Sequence, residues 1–468
     1  MSNTPTTENN PKSQYRNPRT AKALWVGTTN FAEGLPYTVV RILSTIYFTD
    51  IGLKERYLGY LNFLGTPWNL KFLWAPFLDL VSTKRRWLIG IQVLMSAVLL
   101  IIAGACYLAY VPKPGLPVDP SSQLLFGSQY LSFLLIFISV SFVALAFVAA
   151  TNDIAIDAYY LAGLPDPRDQ AAYSGYRVMA YRLAMIFGRS GLVALVAYMA
   201  YYLEQHGNIN LSRPWAYGFA AAGITMLVIA IFHAIELPYF EGKRADTNYS
   251  VKQITKSFGR SFASYLDQEK IATVLIFIIL YKIGDEILFS MNTVFLKREL
   301  HITNAQIAWL AGIVGAFGAV LGSMMGGLWI KKQGLKKAIW PLTLLMNLNI
   351  WAYVWLAYAK PDPTTSKGII LIACLYWYEQ VAAGLGATAL TIFMMRTCKP
   401  EFKAGHYAIG SAIMTIPSTL IGGFSGQIVE RVGYVNFFIL AFLISIPSML
   451  LLFIVPIKDE PPALNTST

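Results

Sequence analysis

The chain has 468 residues, of which 56% are apolar, 14% aromatic and 13% charged, with a mean hydropathy of +0.50. A soluble domain carries about 25% charged residues, so this composition excludes a disordered chain, a nucleic-acid-binding domain and an ordinary soluble enzyme. The net charge of +12 has a simpler source than a nucleic-acid partner, because membrane proteins gather Lys and Arg in cytoplasmic loops.

Residues 1–20 are polar and rich in Pro, Asn and Thr. They lack the apolar core of a signal peptide and read as a disordered cytoplasmic tail. Apolar runs of spanning length follow at 21–48, 57–80, 87–110, 129–162, 172–203, 214–236, 269–296, 304–330, 338–359, 367–397, 403–428 and 435–456. In lipid, backbone polar groups must pair within a helix or a closed barrel. Barrel strands alternate in polarity, and runs such as 93–105 and 131–150 do not. The fold expected is therefore an all-α membrane protein of twelve transmembrane helices.

The link at 237–268 is long and basic, and it parts six spans from six. The expected layout is an N-terminal bundle at 21–236, a cytoplasmic linker at 237–268, a C-terminal bundle at 269–457 and a cytoplasmic tail at 458–468. Lys84–Arg86, the central link and Lys331–Lys337 fall on one side of the spans. That bias places both termini in the cytoplasm. Cys106, Cys374 and Cys398 give no disulfide framework. The four histidines lack metal-ligand spacing, and no phosphate-binding loop is present. No metal, cofactor or enzyme constellation is expected.

The chemistry shows where charges interrupt the spans, because an ionised group at mid-helix costs at least about 2.5–3.5 kcal/mol. Span 1 holds Glu33 and Arg41, span 2 Lys71, span 4 Asp153 and Asp157, and span 5 Arg177, Arg182 and Arg189. Span 7 holds Lys282, Asp285 and Glu286, and span 10 Glu379. Counting from the turn between spans 4 and 5 at about 1.5 Å per residue, Asp157 and Arg177 lie roughly 8 Å deep, and Asp153 and Arg182 roughly 14 Å. Two acid–base rungs are expected, Asp157–Arg177 and Asp153–Arg182, with Arg189 deeper and without an acid in its hairpin. Glu33, the Lys282–Glu286 cluster and Glu379 fall at roughly 18–25 Å, near the midplane. They lie on the first and fourth spans of the halves, which line one cavity if two repeats pack face to face. Pro36 is expected to open the helix beside Glu33. The glycines of span 8, from Gly312 to Gly327, permit close helix packing.

Several runs resemble the AmpG-type muropeptide permeases of the major facilitator superfamily. Lys71 followed by Phe72-Leu73-Trp74-Ala75-Pro76-Phe77-Leu78-Asp79 is similar to that family's span-2 motif. Asp153-Ile154-Ala155-Ile156-Asp157-Ala158 is similar to its span-4 pattern, and Tyr181-Arg182-Leu183 to span 5. Tyr281-Lys282-Ile283-Gly284-Asp285 resembles span 7, and Gly384-Leu385-Gly386-Ala387 after Glu379 resembles span 10. The resemblance implies the major facilitator fold and proton-driven import of GlcNAc-anhydromuramyl peptides for cell-wall recycling. Lys71, Asp79, Asp153, Asp157, Arg182, Lys282, Asp285 and Glu379 match its motif positions. Glu33, Arg41, Arg177, Arg189 and Glu286 stand outside them.

The expected protein is a proton symporter working by alternating access in a bacterial inner membrane. Its partners are a sugar-peptide, protons and the bilayer; no nucleic acid is expected, and the chain reads as a monomer. Asp285, Glu286, Glu379 and Glu33 are the proton-coupling candidates, as carboxyls away from bulk water. Lys71, Arg182, Arg189, Lys282, Tyr281 and Trp68 are candidates to meet substrate. Asp79, Asp153, Asp157 and Arg177 are candidates for a gate. The other readings are a carrier of another anionic solute such as acyl-CoA, and a membrane assembly factor or receptor that transports nothing.

Overall fold

The computed structural model describes residues 18–75, 83–113, 128–239, 259–260, 262–399 and 403–457. Among these residues the chain runs as twelve helical rods, α1–α12. The first, α1 (18–50), runs unbroken through Pro36. Proline removes the amide that would bond the carbonyl four residues back. That carbonyl, of Ala32, instead accepts from Asn152 Nδ2 at 3.0 Å, so the helix continues through Pro36 where an opening was expected.

Next, α2 (55–73) alternates short α and 3-10 turns, with Pro67 in its middle. Lys84–Leu108 is α3, Ser128–Gly163 α4, residues 167–205 α5 and Arg213–Glu236 α6. In the second half, α7 (271–298) breaks once, at Lys282. Residues 304–333 form α8, 335–359 α9 and Ser366–Thr397 α10. The last two, α11 (403–432) and α12 (434–451), meet at Gly433, whose φ of 75° allows a reversal that a side chain would resist.

Eight helices among the described residues are long and apolar enough to cross a membrane. There α11 and α12 count as one helix, and α1, α2 and α7 fall short of the test; α2 is cut into short turns and α7 is cut at Lys282.

In the first half α3 packs on α4 and α6, and α1 on α4 and α5. In the second, α8 and α9 pack on α10. Phe295 of α7 and Tyr353 of α9 meet Phe438 of α12 edge-on or tilted. The span-8 glycines act as expected, since a Cβ at Gly318 would stand 3.0 Å from the Trp377 carbonyl of α10. The halves touch through α1–α7, α2–α11 and α5–α8. Those contacts gather toward the end of the bundle that carries Asp50, Glu55 and Gly433, here called the latch end. The opposite, terminal end carries residues 18 and 457.

Three rods contain one wide π turn each: Val39–Leu43 in α1, Phe187–Leu192 in α5 and Leu310–Val314 in α8. The α5 turn touches both others, so all three share one level of the bundle.

Most of the central link lies outside the described residues. Of the basic Lys84–Arg86 group, Arg85 is buried and donates from Nε to the Leu237 carbonyl at 2.9 Å and from Nη2 to that of Ala234 at 2.6 Å. It caps the end of α6, where a cation also complements the helix dipole.

Candidate functional site

The close approach of α1 and α5 sets the first cluster. A Cβ at Gly34 would stand 2.8 Å from the Tyr181 carbonyl, so glycine lets the two rods meet beside Glu33. Five charged side chains from four rods converge there. Arg177 pairs with Asp157, in the expected rung, and its Nη2 lies 3.6 Å from Glu33 Oε2. Lys71 Nζ lies 3.7 Å from Asp153 and 3.9 Å from Asp157. The second expected rung does not form: Asp153 meets Lys71 rather than Arg182. The depth count compared only the two rods of one hairpin, and the irregular turns of α2 bring Lys71 in from a third. Glu33 joins this cluster instead of the group around Glu379, because the long Arg177 side chain bridges the difference in depth.

The second cluster lies in α7 and α10. The break at Lys282 frees its side chain to reach Asp285 at 3.5 Å and Glu286 at 3.1 Å, one turn further along the same rod. Glu379 is 1% exposed and has no cation within ion-pair distance among the described residues. Its Oε2 accepts from Gln380 Nε2 at 2.7 Å. Asp285, Arg189 and Lys282 are its charged neighbours.

The aromatic candidates divide. Trp68 stands edge-on to Tyr37 at 5.3 Å, and Tyr37 lies 6.3 Å from Tyr181. Tyr281, in contrast, is fully buried against Phe277, and its hydroxyl accepts from Thr343 of α9. It packs the bundle and offers no face to a ligand. Arg41 donates to the Asn62 carbonyl at 2.6 Å. Asp79 lies outside the described residues.

Sequence reasoning missed the latch end. Lys297 of α7 lies 2.6 Å from Asp50 of α1, and Arg298 lies 2.7 Å from Glu55 of α2. Arg56 of α2 pairs with Glu430 of α11 at 2.7 Å. Asp50 Oδ2 also accepts from Asn304 Nδ2 at 2.7 Å and Trp215 Nε1 at 2.9 Å. The signal was available in part: the first turn of each half is dense in charge of both signs, Asp50, Lys54, Glu55 and Arg56 against Lys297, Arg298 and Glu299. Below this seal, Asn69 of α2 donates to Thr419 of α11 at 2.8 Å. No ion pair joins the halves at the terminal end among the described residues. There the side chains of Lys71 and Asp157 keep 32% and 40% of their surface open.

Comparison with known proteins adds the family. The profile described as Acetyl-coenzyme A transporter 1 matches residues 33–284, and that of the Major Facilitator Superfamily matches residues 274–468. The Anhydromuropeptide permease of Escherichia coli K12 is 24% identical over 94% of this chain and 80% of its own length. A putative transporter, AmpG 4, of Rickettsia conorii is 24% identical over 90% of this chain and 93% of its own. Among solved structures, a D-xylose-proton symporter superposes with a TM-score of 0.65, covering 96% of this chain and 100% of its own at 13% identity. A bacterial homologue of the lysosomal transporter Spinster, captured inward-facing and unoccupied, gives 0.64, covering 94% and 97% at 14% identity. Both likenesses show the fold.

Proposed function

For a chain that belongs to the major facilitator superfamily, as an AmpG-type permease whose first half also matches the acetyl-coenzyme A transporter 1 family, we propose proton-coupled import of anhydromuropeptide-type cell-wall fragments. One observation carries the reading. Charged clusters from both halves stand in the bundle, sealed by cross-half ion pairs at the latch end, while the side chains of Lys71 and Asp157 toward the terminal end stay partly open. That is the arrangement of a carrier caught open on one side.

In this reading the latch end faces out and both termini face the cytoplasm of a bacterial inner membrane. The 237–268 link joins two rocking bundles, and the monomer is the working unit. Outward opening separates Asp50 from Lys297 and Glu55 from Arg298. Solute enters, and a proton reaches Glu379 or the Asp285–Glu286 pair. Glu379 suits this work because no cation holds it ionised at ion-pair distance. Closure of the latch turns the passage inward, where solute and proton leave. The five-residue web of Glu33, Lys71, Asp153, Asp157 and Arg177 sits at the inward mouth and exchanges partners as the rods move.

The test is uptake of GlcNAc-anhydromuramyl tripeptide into proteoliposomes with and without an inward proton gradient. Uptake that ignores the gradient rejects symport. Unchanged uptake by the Asp285→Asn/Glu379→Gln variant rejects these coupling sites. A second reading, carriage of an acyl-CoA, is favoured by the profile matching residues 33–284, and acetyl-CoA belongs in the same assay.

A further inference from the structure

Cations in the spans divide by what holds them. Lys71, Arg177 and Lys282 each meet carboxylates, and Arg41 meets a carbonyl. Arg182 and Arg189 meet neither a carboxylate nor a hydrogen-bond acceptor among the described residues, and the buried Nε of Arg189 has no partner. Both lie on α5, seven residues or about two turns apart. Tyr376 and Glu379 of α10 lie within electrostatic reach of Arg189. Two guanidinium groups without counter-ions on one rod in a membrane interior are poorly solvated, so the pair is incomplete without an anion.

The geometry points to a missing partner brought by the solute. We propose that Arg182 and Arg189 clamp two negative charges of the transported molecule, and that Trp68, Tyr37 and Tyr181 form the wall against which its ring lies. This rests on the transport reading above and goes further, since it names which part of the solute meets which residues.

The chemistry agrees at each point. A guanidinium presents a planar fork that grips carboxylate or phosphate through two parallel hydrogen bonds. Tyr181, whose ring belongs to the aromatic group with Tyr37 and Trp68, stands on the same rod as both arginines. The contact of Gly34 with the Tyr181 carbonyl holds this face of α5 against α1. Arg189 stands in the π turn of α5, a form that recurs at functional sites. A ring beside two negative charges describes a sugar carrying an acidic peptide, and equally a nucleotide diphosphate. Each presents two negative charges, as carboxylates or as phosphates, that a guanidinium fork can grip.

Binding to purified full-length protein, followed by calorimetry, separates these cases. The probes are GlcNAc-anhydromuramyl tripeptide, the same compound with its carboxyls amidated, and acetyl-CoA. The wild type is expected to bind the free acid at least about tenfold tighter than the amide. Arg182→Gln/Arg189→Gln is expected to erase that preference. Should the Gln pair fail to fold, Arg182→Lys/Arg189→Lys keeps both charges and must still lose about fivefold, because an ammonium lacks the fork. Equal binding of acid and amide, or a preference that survives both double variants, overturns the clamp and leaves muropeptide import standing. Binding of acetyl-CoA alone, lost in the variants, keeps the clamp and rejects the muropeptide. Binding of none of the three overturns both.

Discussion

Lys71 and Arg177 join carboxylates on different rods, so the charges of the first half also fasten α1, α2, α4 and α5 together. Lys282 meets two acids of its own rod, and Glu379 stands apart on α10. The first arrangement ties ionisation to packing. The second leaves a buried carboxyl whose charge can change while the rods keep their places. One cluster suits a device that moves with the bundle, the other a device that handles a proton.

The contrast is broken most sharply at Lys71. Lys71→Met leaves Asp153, 8% exposed in its side chain, as a buried acid without its cation. We expect a loss of about 3 kcal/mol, read as a lowered midpoint of thermal unfolding in detergent. Adding Asp153→Asn should restore most of it, and failure to do so would show that the web is not what fastens the rods.

Glu379→Gln is expected to do the opposite, since it keeps volume and hydrogen-bonding capacity. Stability should stay near the wild type while gradient-driven uptake falls about thirtyfold, or ~2 kcal/mol. Solute exchange without a gradient should persist. A large drop in melting temperature would place Glu379 with the fasteners.

A third case tests the latch. Asp50→Asn removes the charge that Lys297, Asn304 and Trp215 share, and the Lys297 contact alone is worth about 1.5 kcal/mol. Labelling of a cysteine introduced below the latch, by a membrane-impermeant reagent from outside, should rise about tenfold. Asp50→Lys combined with Lys297→Asp should bring back the ion pair's share of the seal and leave the bonds from Asn304 and Trp215 unmade. The smallest effect is expected at Arg56, which is 49% exposed. Arg56→Ala should leave unfolding unchanged at moderate salt, because rim ion pairs are screened.

The spans were legible because lipid demands long apolar helices, and most observed rods begin or end within a few residues of the expected bounds. The Asp157–Arg177 pair was legible because its hairpin has a short turn from which depth can be counted. Lys71 with Asp153 was not, since the pair depends on how a third, irregular rod packs. The latch residues read as ordinary interfacial charges, because their partners lie in the other half of the chain. Tyr281 looked like a ligand-stacking ring beside Lys282, yet neighbours on one strand of sequence point to different sides of a helix.

The π turns in α1, α5 and α8 have a consequence for the length of the chain. Each inserts part of an extra residue into its screw, so everything beyond it is set in a new phase. Deleting a residue from the ordinary turns that follow the wide turn of α5 would swing the rest of that rod by about 100°, carrying the α8-facing side of the rod away from its mate. At that level the protein should forgive many changes of letter and hardly any change of count.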